Sequence, residues 1–191
     1  MVVSDPTVPI GVRKMSELLV AHTADLGAAV LRQVRALLSD VFEGDLSEHD
    51  WEHALGGVHA VLWEGGELVA HASVVQRRLV HQGRAWRAGY VEAVGVRADR
   101  RRRGHGGAVM APLERVIREA YEVGALGAAD EAIPFYRARG WSCWRGPLSA
   151  LTPSGTTPTP EEAGGVFVLP VSAPLDLDGE LTCDWRDGDV W

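Results

Sequence analysis

The chain has 191 residues, of which 46% are hydrophobic and 24% charged, and a formal charge of −7 at pH 7. This balance suits one soluble globular domain with a real core. The acidic excess argues against a nucleic-acid binder held by phosphate contacts. The two cysteines, Cys143 and Cys183, stand in unrelated contexts, so neither a disulfide framework nor a CxxC metal site follows, and a reducing cytoplasm is the expected setting. Asp5, Pro6, Pro9 and Glu17 interrupt the start of the chain where a signal peptide needs an apolar run. No stretch has the length of a transmembrane helix, so no membrane partner is expected.

Residues 1–16 read as a loose leader ahead of one domain over 17–191. Leu18 to Thr23 predicts a short apolar strand. Asp25 is a candidate N-cap for a helix on which Val30, Val34, Leu37, Leu38 and Val41 recur at helical spacing. A shorter helix is expected from Glu48 to Leu55, stopped by Gly56-Gly57. Strands follow at His59 to Trp63, Leu68 to Val80 and Arg84 to Val96, separated by Gly65-Gly66 and Gln82-Gly83. After an Arg/Gly-rich turn, a helix runs to about Glu122, and Pro112 should kink it. A strand at Ala125 to Ala129, a helix at Ile133 to Arg139 and a strand at Ser142 to Leu151 come next. The Thr/Pro/Gly-rich stretch 152–165 reads as a long loop. Strands at Val166 to Val171 and Leu181 to Trp185 complete a mixed α/β domain.

The segment that carries chemistry is Tyr90-Val91-Glu92-Ala93-Val94-Gly95-Val96, followed by Arg101-Arg102-Arg103-Gly104-His105-Gly106-Gly107. It is a strand, a basic glycine-rich turn and a helix start. Free N–H groups at a helix N-terminus bind phosphate oxygens, and glycine lets the backbone come close. Gly95 suggests a bulge, or a close backbone approach by a ligand. The turn lacks the GK[ST] ending of a Walker A loop and the GxGxxG-plus-acid pattern of a dinucleotide site. On the residues alone, an arginine-rich surface turn remains an alternative.

Arg101-x-x-Gly104-x-Gly106 after a strand resembles the acetyl-CoA signature of the GNAT superfamily. More narrowly, the chain resembles the bacterial aminoglycoside 2′-N-acetyltransferases. The similarity lies in Asp50-Trp51-Glu52-His53 with Gly56-Gly57, Gln76-Arg77-Arg78-Leu79, Gly89-Tyr90-Val91-Glu92, Tyr136-Arg137-Ala138-Arg139-Gly140-Trp141, Val166-Phe167-Val168-Leu169-Pro170 and Cys183-Asp184-Trp185-Arg186-Asp187-Gly188-Asp189-Val190-Trp191. The resemblance implies a GNAT-type domain with a central, mostly antiparallel sheet flanked by helices. It implies acetyl transfer from acetyl-CoA to the 2′-amine of an aminoglycoside in a ternary complex, and a homodimer. The co-substrate would lie along Val94 and Val96 and on Arg101, Arg102, Arg103, Gly104, His105, Gly106 and Gly107.

Attack on a thioester needs a neutral amine, and Glu92 lies in a largely apolar strand beside the phosphate turn, where burial raises a carboxyl's pKa toward that of a useful base. The resemblance implies the same role, directly or through water; a structural carboxylate is the alternative. Tyr136 matches the family's proposed general acid for the departing thiolate, by proton transfer or by a hydrogen bond alone. Asp45, Asp50, Glu92, Asp189 and Trp191 are the expected acceptor side for a cationic amine, with Glu161 and Glu162 as further acids. The chain departs from the family in having no small hydroxyl residue in Gly127-Ala128-Ala129. Other readings are a GNAT acting on another small amine or on a protein amine, or a CoA-binding module without catalysis. A remote one is a zinc hydrolase, since His49, His53 and His59 stand in an H-D-x-x-H-x-x-G-x-x-H array. No metal is expected on the main reading.

Overall fold

A computed structural model gives the fold over residues 16–191. Residues 1–15 of the expected leader lie outside the described residues, and Ser16 already belongs to the first strand, β1 (Ser16–His22). A single 3₁₀ turn, Thr23–Asp25, follows, so Asp25 does not cap the first helix. That helix, α1 (Ala28–Val41), starts from Gly27 without a side-chain cap. Helix α2 (Glu48–His53) is shorter than the sequence suggested and begins with a reciprocal capping box between Ser47 and Asp50. Then come β2 (Val58–Glu64), β3 (Glu67–His81), β4 (Arg84–Val96), α3 (His105–Ala120), β5 (Val123–Gly127) and α4 (Ile133–Ala138). Helix α3 runs through Pro112.

The C-terminal part departs most from expectation. Where one strand was expected over 142–151, there are two, β6 (Ser142–Cys143) and β7 (Leu148–Thr152). The chain leaves one edge of the sheet for the other between them, since β6 pairs with β9 (Val166–Pro170) and β7 with β10 (Leu181–Cys183). The expected loop 152–165 contains β8 (Gly155–Pro158), hairpin-paired to β7, and a 3₁₀ turn at Pro160–Glu162. Threonine is β-branched and suits a strand; its turn-rich neighbours masked that preference.

The sheet runs β6-β9-β5-β4-β3-β10-β7-β8, with β2 and then β1 added beside the first half of β3. Its pairings are antiparallel except for β4–β5 and β7–β10. Alternation along β2 sends Ala60 and Leu62 to one face and Val61 to the other. On the first face they meet Val109, Met110, Leu113 and Ile117 of α3; on the second, Val61 meets Val34 and Leu38 of α1. Both faces of the sheet centre are therefore covered, and Val69 to Val75 are buried without a break.

Two features of β4 shape everything downstream. Ala93 has φ +50°, and the register with β3 shifts so that Ala93 and Val94 face Ala72 alone. This is a bulge, two residues earlier than Gly95 suggested. Gly95 itself is regularly paired with His71, and a Cβ there would stand 3.0 Å from Leu38 Cδ2, so glycine serves the packing of α1. The second feature is that β4 pairs with β5 only over Ala88–Tyr90. Beyond Tyr90 that edge of β4 is free of β5.

A buried hydrogen-bonded chain backs the bulge. His71 Nδ1 lies 2.9 Å from the Ala93 carbonyl, His71 Nε2 lies 2.9 Å from His59 Nδ1, and His59 Nε2 lies 2.7 Å from Thr23 Oγ1. A carbonyl only accepts, so with neutral rings His71 Nδ1–H donates to Ala93 and His59 Nδ1–H to His71, which leaves His59 Nε2 as an acceptor facing the Thr23 hydroxyl. Both imidazoles are neutral in this arrangement. Burial holds His71 down at about 3, helped by His59, and holds His59 at about 4, helped by His22.

These lowered values fix a pH dependence of stability. The unfolded chain takes up protons on these histidines below about pH 6.5, whereas the folded chain does not. Stability is therefore full above about pH 6.5 and falls as the pH drops toward about 4, with each histidine giving up on the order of 2 kcal/mol by pH 5. Urea unfolding at pH 7 and pH 5 should show this loss, and His59→Gln or His71→Gln should flatten it; an unchanged slope in both variants would refute the buried neutral pair.

Candidate active site

Where β4 and β5 part, they leave a cavity of about 820 Å³. Its floor is the free edge of β4 from Tyr90 to Val94, with Val96 beyond. One wall is the turn with the start of α3, and the other is Gly127 to Ala129 with Phe135 and Tyr136 of α4. The end of α1, at Val41 and Phe42, closes one side, while Glu162, Asp189 and Trp191 close the other.

The phosphate end follows from local geometry. Gly104 holds φ +86°, a left-handed conformation that glycine adopts freely, and from it the chain turns directly into α3. No side chain caps this helix, so the N–H groups of His105, Gly106 and Gly107 have no intrahelical acceptor. All three residues line the cavity, with Arg101 and Arg102 beside them. His105 Nε2 is buried and without a partner. Donors, positive charge and an unpaired buried nitrogen thus converge where an anion fits. Arg103, assigned to this group from the sequence, is exposed and does not line the cavity.

Helix α4 is held by a buried ion pair. Glu114 of α3 accepts from Arg139 Nε and Nη2, each at 2.7 Å, and from Trp141 Nε1 at 3.0 Å. Tyr136 lies between these anchors, 5% exposed, against Phe135, Trp141 and Phe167. Burial pushes its phenol up to about 12, only partly offset by Arg139.

Glu92 lines the cavity, its side chain 13% exposed. Burial raises its carboxyl to about 7, against the opposing pull of Arg186, which donates through Nη1 to Oε1 of Glu92. At the far end, Asp189 and Glu162 supply negative charge, and burial with Asp189 nearby raises the Glu162 carboxyl. Trp191 lines the cavity, but its indole is 4% exposed, packed into the core, with Nε1 donating to Thr159 Oγ1 at 2.8 Å. It is a wall and an anchor rather than a free stacking face.

Asp45 and Asp50 do not line the cavity. Asp45 is exposed, and the Asp50 carboxylate accepts from Ser47 N and Oγ at 2.9 and 2.8 Å in the cap of α2. Helix α2 still borders the C-terminal segment, since His53 Nε2 lies 2.8 Å from the Asp187 carbonyl. The zinc reading fails on geometry. His53 faces that carbonyl, His59 is sealed into the chain behind β4, and no cluster of potential metal ligands occurs among the described residues. Both cysteines are free.

The acetyltransferase (GNAT) domain family matches residues 24–144. An aminoglycoside 2′-N-acetyltransferase of Mycolicibacterium fortuitum is 53% identical over 174 residues, covering 89% of each chain. The chain belongs to the GNAT acetyltransferases, within the aminoglycoside 2′-N-acetyltransferase family. An acyl-CoA N-acyltransferase from Pseudomonas aeruginosa shares the fold with a TM-score of 0.58 at 16% identity, over 81% of this chain and 99% of that one. ElaA from Escherichia coli does so with a TM-score of 0.56 at 18% identity, again over 81% and 99%.

The GNAT fold implies an acyl-CoA co-substrate, and the residues present fit one: the phosphate donors lie at one end of an elongated cleft, beside a strand edge whose backbone is free to pair. Some lining residues are not assigned to the site from the sequence. Val41 reads there only as part of a helical face, Phe42 is not singled out, and Tyr90 reads only as the start of the strand that carries Glu92, yet its buried hydroxyl is unpaired beside the cavity.

Gly106→Asp tests the anion site. A Cβ at Gly106 would find its nearest neighbour, Phe135, at 3.5 Å, so the protein should fold, while the carboxylate would stand where the phosphates bind. The acyl-CoA KM should rise at least about tenfold, the equivalent of 1.4 kcal/mol, with the melting temperature little changed. A folded variant with unaltered KM would remove the turn from the site.

Proposed function

We propose that this protein transfers the acetyl group of acetyl-CoA to the 2′-amine of an aminoglycoside, with both substrates bound together. The observation that carries the reading is a buried carboxylate, Glu92, standing between an anion-binding helix start and an acidic rim, in a chain closely related to an aminoglycoside 2′-N-acetyltransferase.

Acetyl-CoA supplies an activated thioester carbonyl; the chain supplies position, charge and a proton acceptor. His105, Gly106 and Gly107 with Arg101 and Arg102 hold the pyrophosphate, while the free edge of β4 at Val94 and Val96 pairs with the extended part of the ligand. Asp189 and Glu162 attract the polycationic acceptor. Glu92, raised to about 7, takes a proton from the 2′-ammonium, directly or through a water, so that the free amine can attack the thioester carbonyl and the C–S bond can break with CoA leaving as its thiolate. That ammonium is itself made more acidic by its charged neighbours. Tyr136, at about 12, stays protonated. Passing its proton fully to a thiolate of pKa about 8.5 would run uphill by roughly 5 kcal/mol, so its role is to donate a hydrogen bond to the leaving sulfur. We also propose the homodimer expected from the resemblance.

Aminoglycosides with a 2′-amino group should release CoA thiol, and those with a 2′-hydroxyl should not; an acetyl group found by mass spectrometry on another nitrogen would refute the regiochemistry. Glu92 is active as its anion, so kcat/KM should fall as the pH drops below about 7, and Glu92→Gln should lower kcat/KM and move that limb up to the ionisation of the acceptor amine itself. Asp189→Asn should raise the acceptor KM about tenfold, as one charge-assisted contact is lost, and leave the acetyl-CoA KM nearly unchanged. Equal changes in both constants would mean a general disturbance of the fold.

A further inference from the structure

Around Tyr90, two arginines tie the C-terminal segment to the sheet. Arg77 donates from Nε to Asp184 Oδ1 at 2.8 Å, from Nη2 to the Asp184 carbonyl at 2.7 Å and from Nη1 to the Val190 carbonyl at 2.8 Å. Arg186 is wired differently. Its Nε donates to the Asp189 carbonyl at 2.7 Å, its Nη2 to the Trp191 main-chain oxygen at 2.9 Å, and its Nη1 to Glu92. The guanidinium groups of Arg77 and Arg186 lie 4.7 and 5.3 Å from the Tyr90 ring centroid. The arginine that touches Glu92 is thus also the one that bends the chain so that Asp189 and Trp191 face the cavity.

We infer that Arg186 is a positioning residue that works on both halves of the acceptor site at once, holding the Glu92 carboxylate as a proton acceptor and fastening Asp189 and Trp191 beside it. The geometry gives each part of the guanidinium a separate task. The planar fork of an arginine reaches a carboxylate and two main-chain oxygens from one side chain. The pair with Arg186 uses Oε1 of Glu92, which leaves Oε2 for the reaction. The groups that bear on Glu92 are few. Arg186 and, more remotely, Arg77 favour its anion; Asp189 and the burial of the site oppose it. Tyr90 is neutral, its phenol pushed far up by burial and by Glu92. With Arg186 removed, the opposing influences dominate and the proton affinity of Glu92 climbs away from neutrality. The inference rests on the reading of Glu92 as the base, and extends it to a residue outside the cavity lining.

The test is a titration of the Glu92 side-chain ¹³Cδ resonance, assigned by its loss in Glu92→Gln, in the wild type, Arg186→Gln and Arg186→Lys. The Gln variant should titrate at least about one pH unit above the wild type, and the Lys variant close to it, since lysine restores the charge. Lysine lacks the fork, so Arg186→Lys should also raise the acceptor KM about tenfold without changing the acetyl-CoA KM. This reading survives even if the Gln variant fails to fold. An unmoved midpoint in folded Arg186→Gln, or an unchanged acceptor KM in Arg186→Lys, overturns the inference. Failure of the underlying reading looks different: the Glu92 resonance would respond as expected, while the acid limb of wild-type kcat/KM would not follow it.

Discussion

The site exists because β4 stays paired with β3 to its end but parts from β5 after Tyr90. One extra residue at Ala93–Val94 bends the strand, and its parallel pairing with β5 stops at Tyr90. A bulge increases local twist and withdraws backbone groups from the ladder. The floor of the cavity is the other edge of β4, the one that β5 leaves after Tyr90. A left-handed alanine costs about 1 kcal/mol or more, and the hydrogen-bonded chain from Thr23 through His59 and His71 to the Ala93 carbonyl holds it in place. The histidine that looked like a zinc ligand is part of the support behind the acyl site.

From this constraint the two ends of the cleft follow. On one side, the end of β4 passes through the arginine turn to the uncapped start of α3, so the positive pole of the helix faces the opening. On the other, β5 leads through a 3₁₀ turn to α4, which the Glu114–Arg139 pair pins to α3. Glu114 is buried and Arg139 half-buried, so removing Arg139 alone would leave a costly unpaired carboxylate. The use of the pair here is geometric, since the same carboxylate also receives Trp141 and so frames Tyr136 from both flanks.

The acceptor side depends on contacts far apart in sequence. Arg77 and Arg186, buried beside Tyr90, fold the last residues back over β3 and β4. Arginine suits this place because its charge is permanent and its donors satisfy several oxygens at once. Glu92 then feels two opposed influences, burial and a neighbouring cation, and their balance leaves it near neutrality rather than locked in either form.

What the sequence determined is what short-range physics writes into contiguous residues. The helix periodicity of α1 and α3, the strands β2 to β4, the glycine-rich anion turn, a carboxylate in an apolar strand and a tyrosine in a short helix after β5 all depend on neighbours a few positions away. The turn and Glu92 were therefore legible, and family resemblance added Tyr136. What only the tertiary structure decided is which distant groups share a site. Asp45 and Asp50 looked as acidic as Asp189, but the needs of a helix cap and of solvent exposure took them out of the cavity. Trp191 became a packed anchor because Thr159, in a stretch that read as loop, receives its indole N–H. Arg186 stood in the C-terminal run that carries the family resemblance but gave no sign of its own partner, a carboxylate 94 positions earlier, since no local pattern of side chains encodes a contact that exists only once the chain has folded.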